Sequence, residues 1–242
     1  MTQATGTDAE TMQAGDAEIE LGAARIALLP ERAALLIDHQ ALLIADTHWG
    51  KSQAMRARGM PIPRGVTDEQ LRRLEAAIAR TAARRVIVLG DLFDAPSGTP
   101  ETLLDTLAKW ITRARHELEV CIELVPGNHD RRLGANKLSA VLDRIGVSLL
   151  DHEITLGGLA LRHDPEEHGA APAIGGHLHP AVTLDPGQHP LRVPAFHVLG
   201  RERLVLPAFS TFTAGGGLGT PRPGDRVFIA AEGRVVELTE RL

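Results

Sequence analysis

The sequence predicts an α/β fold in which two β-sheets pack face to face and helices flank them. In the first half of the 242 residues, apolar runs of strand length alternate with amphipathic helical patterns. In the second half, short apolar segments follow one another between glycine and proline turns. Apolar residues make up 43% of the chain, enough for a substantial core. We expect one domain over residues 18–242, after a polar, disordered lead-in at residues 1–17.

The first half of the chain predicts six strands and three helices. Short apolar segments separated by turns indicate adjacent antiparallel strands at 19–21, 25–29 and 34–37. Continuous apolar runs are typical of parallel strands covered on both faces, and they occur at 41–45, 86–89 and 120–125. Apolar stripes of helical period occur at 68–83, 100–116 and 136–145. Thr67 is the expected N-cap of the first of these helices.

The second half predicts only short strands. They are expected at 147–150, 154–156, 159–162, 173–174, 182–184, 195–199, 204–208, 226–230 and 234–238. The last two are joined by the hairpin loop 231–233. In such a fold, ligands bind at the carboxyl ends of the first-half strands.

Composition limits the chemistry. Eleven histidines stand beside a single cysteine, Cys121, which excludes a disulfide framework and a thiolate zinc cluster. We expect Cys121 to be a buried apolar residue, so that imidazole and carboxylate must hold any metal. Aromatic residues are 3%, which argues against recognition by aromatic stacking. The net charge of -5 argues against a general nucleic-acid coat but permits a local basic groove. No apolar run approaches the roughly 18 residues of a membrane span.

Four loops at or near strand ends carry residues that bind metals. They are Asp46-Thr47-His48, Gly90-Asp91-Leu92-Phe93-Asp94, Gly127-Asn128-His129-Asp130 and Gly176-His177-Leu178-His179. In extended backbone, residues two apart project to one side, so Asp46 is expected beside His48, and His177 beside His179. Taken singly, each loop also fits an interpretation without metal binding, as an Asp-rich turn or a pair of solvent-facing histidines.

In this order the four motifs resemble the calcineurin-like metallophosphoesterase family, over Asp46 to His179. The resemblance implies an αββα sandwich of two mixed β-sheets flanked by helices, and two divalent metal ions. It implies that Asp46, His48 and His179 bind the first ion, that Asp91 bridges both, and that Asn128, His177 and one further histidine bind the second. We choose His163, which follows an apolar strand, with His152 and His168 as alternatives. Oxygen and nitrogen donors suit manganese, our first choice, and also iron or zinc.

The resemblance also implies the catalytic residues. His129 corresponds to an imidazole that contacts the phosphate and protonates the leaving oxygen, and Asp94 is expected to orient it. A His–carboxylate pair holds one tautomer and supports the cationic form that a general acid needs. The nucleophile implied is a metal-bound hydroxide in an in-line attack.

Four shorter motifs resemble one branch of that family, the PdeM-type phosphoesterases associated with a DNA ligase and a helicase. These motifs lie at 46–51, 163–165, 206–210 and 215–217. The branch implies a cytoplasmic, manganese-dependent endonuclease of DNA repair that prefers single-stranded DNA, with functional association with the ligase and helicase. Lys51, Arg56 and Arg131 are the expected phosphate contacts. The alternatives are a hydrolase of small phosphoesters or nucleotides, and a non-catalytic scaffold, against which the presence of His129 speaks.

Overall fold

The computed structural model describes residues 15–94, 99–167, 169, 172–184, 190–213, 215–218 and 222–238. Most of the expected lead-in, residues 1–14, and the alternative ligand His168 lie outside this part of the chain. The described residues form two mixed β-sheets with helices, the predicted α/β sandwich.

The first sheet takes its strands in chain order. They are β1 (Ala17–Leu21), β2 (Ala24–Leu29), β3 (Ala33–Leu36), β4 (Ala41–Ile44), β5 (Arg85–Leu89), β6 (Cys121–Val125) and β7 (Ser148–Leu149). Strands β1 to β4 are antiparallel and are joined by short turns. Strands β4 to β7 are parallel, and the connections between them contain the helices, since parallel neighbours need a long crossover.

The described α-helices all lie before β7 in the chain. They are α1 (Lys51–Ala57), α2 (Val66–Thr81), α3 (Glu101–Glu117), α4 (Asn128–Arg131) and α5 (Ala135–Ile145). The predicted apolar stripes of α2, α3 and α5 pack on one face of the first sheet, where Leu74, Leu107 and Leu142 are buried. The expected N-cap Thr67 is wrong, because α2 begins earlier and Gly65 caps it with a φ of +83°.

The second sheet is built from the second half of the chain, as predicted. Its strands are β8 (Glu153–Leu156), β9 (Leu159–Arg162), β10 (Ala173–Gly175), β11 (Pro180–Leu184), β12 (Leu191–Leu199), β13 (Arg203–Val205), β14 (Gly216–Gly217), β15 (Arg226–Ala231) and β16 (Arg234–Glu237). Its order is β14-β11-β12-β13-β10-β9-β8, and β15 pairs with β12 and β16. Leu43 and Ile87 of the first sheet share a core with Leu161, Phe196 and Phe228 of the second. The two sheets therefore pack face to face.

Two local predictions are corrected. Cys121 is exposed, because it is the first residue of β6 and lies at the margin of the sheet. The strand expected at 204–208 ends at Val205, after which the chain crosses to the first sheet. There the Phe209 amide donates to the Ala45 carbonyl (2.8 Å) and the Ser210 amide to the Asp46 carbonyl (3.1 Å). This crossing fixes the first metal-binding motif against the second sheet.

None of the helices in the described ranges is long and apolar enough to cross a membrane.

Candidate metal centre

The four motif loops meet at one end of the sandwich. Strands β4, β5 and β6 are parallel neighbours in register, so the loops that follow them leave the sheet side by side. The Asp46 amide donates to the Gly90 carbonyl (3.1 Å), and the His48 amide to the Asp91 carbonyl (3.0 Å). From the second sheet, the parallel strands β9 and β10 bring His163 and the Gly176 loop together, with Gly176 donating to the His163 carbonyl (2.9 Å).

A first donor cluster contains Asp46, His48 and His179. One potential ligand atom of each lies within 4.8 Å of the others. His179 Nε2 is 3.1 Å from Asp46 Oδ1 and 3.4 Å from His48 Nε2. Asp46 Oδ1 is buried and accepts no hydrogen bond from the described residues. Two imidazole nitrogens that face each other beside such an oxygen fit a shared cation, which would satisfy all three.

A second donor cluster contains Asp91, Asn128, His163 and His177. His163 Nε2 lies 3.4 Å from Asp91 Oδ2, 3.0 Å from Asn128 Oδ1 and 3.1 Å from His177 Nδ1. The other ring nitrogen of His163 is 2.9 Å from the Leu89 carbonyl. In the neutral ring, donation from Nδ1 to that carbonyl leaves the Nε2 lone pair directed at the cluster, the arrangement usual for a metal-binding histidine.

Between His163 and the alternative His152, the structure favours His163 for this cluster. His152 is exposed and lies just before β8, and no described contact joins it to either cluster. The signal in the sequence was the position of His163 directly after an apolar strand.

Asp91 lies between the two clusters. Its carboxylate belongs to one group of potential ligands with His48 and His129, and to another with Asp46 and His163. It is 2% exposed. A buried carboxylate has two oxygens with which to serve two cations, so its position suits the bridging role that the resemblance implies. The donors of both clusters are oxygens and nitrogens, which fits manganese, iron or zinc.

His129 lies beside Asp91, and its side chain is partly exposed to solvent. Its amide donates to Asp91 Oδ1 (2.8 Å), its Nε2 is 3.9 Å from Asp91 Oδ2, and its side chain is 26% exposed. Its Nδ1 contacts the backbone carbonyl of Asp94. The expected contact with the Asp94 carboxylate is therefore corrected: that carboxylate lies 3.6 Å from His48 Nδ1 and 3.5 Å from Lys51 Nζ. The carbonyl still fixes one tautomer of His129, with Nε2 facing the site.

The motif residues converge through left-handed backbone and not through strand alternation. Five of them have positive φ: Asp46 (55°), His48 (45°), Asp91 (54°), His177 (68°) and His179 (48°). They are half of the non-glycine residues with positive φ in the described parts of the chain. The expectation that His177 and His179 project together is wrong, since His177 meets His163 and His179 meets Asp46. Backbone strain of this kind concentrates at functional sites.

Glycines in three of the motifs leave room for the donor side chains. A Cβ at Gly90 would overlap the His163 ring, one at Gly127 would overlap Asp91, and one at Gly176 would overlap the Asp46 carboxylate. Gly127 has a φ of -86°, which any residue adopts, so only the space taken by Asp91 requires glycine there.

Replacing Gly127 with alanine is expected to displace the Asp91 carboxylate and to lower metal affinity at least about 10-fold, as loss of a supporting contact does at metal sites. Titration of manganese into the metal-free protein measures this. Gly59→Ala is the control, because no described atom lies within 4 Å of a Cβ built at Gly59, and its positive φ adds backbone strain that Gly127→Ala does not cause. Equal manganese affinity in both variants would contradict the packing argument.

Electrostatics in the site favour deprotonated ligands at two positions. Burial, with Lys51 nearby, lowers the pKa of His48 to about 3, so the ring is neutral and able to bind a cation. Burial alone would raise the pKa of Asp91, but His163 and the His129 amide lower it to about 2. Burial would lower the pKa of His163, but Asp91 raises it to about 9. Asp91 and His163 thus attract each other when no cation separates them.

The three expected phosphate-binding residues differ in how close they lie to the donor clusters. Lys51 begins α1 beside Asp94, and its side chain is 27% exposed. Arg131 is exposed and donates to the Pro126 carbonyl (3.2 Å), within the loop that carries His129. Arg56 donates to the Pro63 carbonyl (2.8 Å) and lines a separate cavity among α1, α2 and α3. The described contacts do not bring Arg56 to the donor clusters.

Asp130 has a structural role that the motif did not reveal. It is buried, and its carboxylate accepts the amides of Gly127 (2.9 Å) and Phe93 (3.2 Å), which ties two motif loops together. Burial raises its pKa to about 6 despite these bonds. In the sequence, the position of Asp130 beside Asn128 and His129 suggests a further metal ligand. The structure shows instead that its carboxylate faces backbone amides.

The sandwich and its paired Asp/His clusters define a metallophosphoesterase, the class of metal-dependent hydrolases. The chain belongs to the calcineurin-like phosphoesterase family, whose sequence model matches residues 39–195, more than half of the chain. It is similar to the crystal structure of Pseudomonas putida nuclease MPE, with a TM-score of 0.76 and 30% identity over 92% of this chain and 100% of that one. A phosphoesterase from E. coli, Yfce, aligns at 14% identity and a TM-score of 0.42, over 82% of this chain and 97% of that one. No curated protein sequence matches the chain.

Proposed function

We propose that this protein is a DNA phosphodiesterase, an endonuclease that hydrolyses internal phosphodiester bonds and prefers single strands. The observation that carries the proposal is the pair of donor clusters that meet at Asp91, with the partly exposed His129 beside them. The similarity over nearly the whole chain to a nuclease supports nucleic acid as the substrate.

The proposed metal ligands are the residues of the two clusters. Asp46, His48 and His179 would hold one divalent ion, Asn128, His163 and His177 a second, and Asp91 both. Carboxylate, amide and imidazole donors fit manganese, iron or zinc, and manganese is the proposed metal because the branch resemblance implies it. When bound, such ions neutralise phosphate charge and lower the pKa of coordinated water to about 7.

The chain's own residues supply the proton and the orientation. His129 Nε2 would donate its proton to the sugar oxygen that leaves as the phosphorus–oxygen bond breaks. The Asp94 carbonyl holds the opposite ring nitrogen, so the ring presents Nε2 to the site. Lys51, at the edge of the cluster, would hold a non-bridging phosphate oxygen, and Arg131 a neighbouring phosphate. Contacts to phosphates position a strand without reading its sequence.

The wider role rests on the branch resemblance alone. We propose a cytoplasmic function in DNA repair, in association with a DNA ligase and a helicase, and the motifs at 46–51, 163–165, 206–210 and 215–217 support it.

A comparison of four substrates tests the activity. With manganese supplied, we expect the protein to open closed circular single-stranded DNA faster than closed circular duplex DNA, and to hydrolyse a generic phosphodiester faster than a phosphomonoester. Circular DNA has no ends, so opening it requires an internal cut. Chelated protein is the control and should leave every substrate intact. Strong monoester hydrolysis with intact circles would contradict the proposal and favour a small-molecule phosphoesterase.

A further inference from the structure

A small cavity opens beside the first donor cluster, and no residue assigned above to substrate binding lines it. We call it the arginine cavity. It has a volume of about 110 Å³, and its walls include His179, Arg32, Arg192, Ser210, Thr213 and Gly215. His179 therefore separates the cavity from Asp46, to which its Nε2 points at 3.1 Å.

The walls of the arginine cavity are positively charged and rich in hydroxyl groups. Arg32 and Arg192 supply two guanidinium groups, Ser210 and Thr213 supply hydroxyls, and no carboxylate occurs among the described residues that line the cavity. Arg32 is half-buried, and burial with the charge of nearby Arg73 lowers its pKa to about 10. Two guanidinium groups without a carboxylate on the same walls favour an anionic occupant.

The two arginines differ in what else they do. Arg32 donates to the Ser210 carbonyl (3.2 Å) and so also supports the segment that crosses between the sheets. Arg192 is exposed on β12, and among the described residues no hydrogen bond or ion pair holds its side chain. Its guanidinium lies against Gly215, where a Cβ would be 3.7 Å from its Nη2. Arg192 thus places its guanidinium along the wall of the cavity with no partner among the described residues.

The size of the cavity selects its occupant. Sites for small organic ligands span about 300–1,000 Å³, so this cavity is too small for a nucleotide. It has room for one compact anionic group, and guanidinium groups are well shaped to bind phosphate oxygens.

We propose that the arginine cavity is a subsite for the phosphate next to the one that is cleaved, on the same nucleic-acid strand. The inference rests on the proposed function, because a DNA strand carries a further phosphate next to the one that is cleaved. Arg192 is the residue that confers preference for a polynucleotide over a simple diester, and Arg32 fixes the floor of the subsite.

Arg192→Ala tests the subsite without removing the structural contact of Arg32. We compare hydrolysis of a single-stranded oligonucleotide with that of bis(p-nitrophenyl) phosphate, which has no second phosphate. The ratio of the two kcat/KM values is expected to fall about 10-fold, as for loss of one charge-assisted contact. Arg201→Ala is the matched control, because Arg201 is exposed beyond the other end of β12 and lines a different cavity. It should leave the ratio unchanged.

Salt dependence gives a second readout that is independent of turnover. Binding of a fluorescent oligonucleotide is followed by anisotropy over a salt series, in a His129→Ala background in which cleavage is expected to be at least about 100-fold slower. Removing one phosphate contact to a single strand should reduce the slope of log K against log salt by about 0.7. An unchanged slope and ratio in Arg192→Ala, with wild-type protein cleaving DNA, would overturn the subsite alone. Wild-type protein that cleaves the simple diester but no DNA would overturn the proposed function and the subsite with it.

Discussion

Replacing Asp91 with asparagine is expected to lower the metal content below two ions per chain and to reduce phosphodiesterase activity at least about 1,000-fold. The side chain is buried between the two donor clusters and takes part in groups with ligands from each. Asparagine keeps an oxygen that can accept the His129 amide bond, but it loses the negative charge and one of the two oxygens. Metal centres supply several kcal/mol of transition-state stabilisation, which corresponds to a factor of this size.

Metal analysis by mass spectrometry and the kcat for a generic diester measure the two effects. Asp225→Asn is a suitable control, because its carboxylate is also buried, with 7% exposure, but accepts the amides of Gly200 and Arg222 away from the clusters. It should retain both ions even if its stability falls. Two ions per chain in Asp91→Asn would show that Asp91 does not bridge them.

Replacing His129 with alanine is expected to reduce DNA cleavage at least about 100-fold while both ions stay bound. The ring is partly exposed, lies outside the two proposed ligand sets and presents Nε2 to the site. Loss of a general acid costs 10²–10⁴-fold when the leaving oxygen needs a proton. A p-nitrophenolate leaving group is stable without a proton, so hydrolysis of bis(p-nitrophenyl) phosphate should fall much less.

The difference between substrates separates acid catalysis from a loss of structure. His152→Ala, an exposed histidine before β8, is the control and should cleave both substrates like the wild type. An equal loss on DNA and on the activated diester, or a loss of bound metal, would contradict the role assigned to His129.

Most of the fold could be predicted because the spacing of apolar residues along the sequence reflects which side chains are buried in each helix and strand. The apolar runs that became β4 and β5 are buried on both faces, as are Ile122, Leu124 and Val125 of β6, and the stripes of α2, α3 and α5 face the first sheet. Helix α1 was missed because it has seven residues and no long apolar stripe. The prediction that Cys121 is buried is wrong because an apolar run in the sequence does not show which of its residues lies at the exposed end of the strand.

The candidate site was predictable to the extent that its residues follow strands. The donors Asp46, Asp91, Asn128 and His163 all lie within a few residues of a strand end, and the structure brings them together. The backbone that aims them was not predictable, since a left-handed φ at Asp46 or His177 depends on the surrounding fold. No sequence pattern links Arg32 and Arg192 to a shared site. They are 160 residues apart, and only the packing of the two sheets brings them to one cavity.

Anomalous diffraction from manganese-loaded crystals tests the central claim, a two-metal centre shared through Asp91, most directly. We expect two peaks about 3.5–4 Å apart, one beside Asp46, His48 and His179 and the other beside Asn128, His163 and His177, with Asp91 contacting both. A single peak, or peaks that leave His163 and Asn128 without a metal, would contradict it.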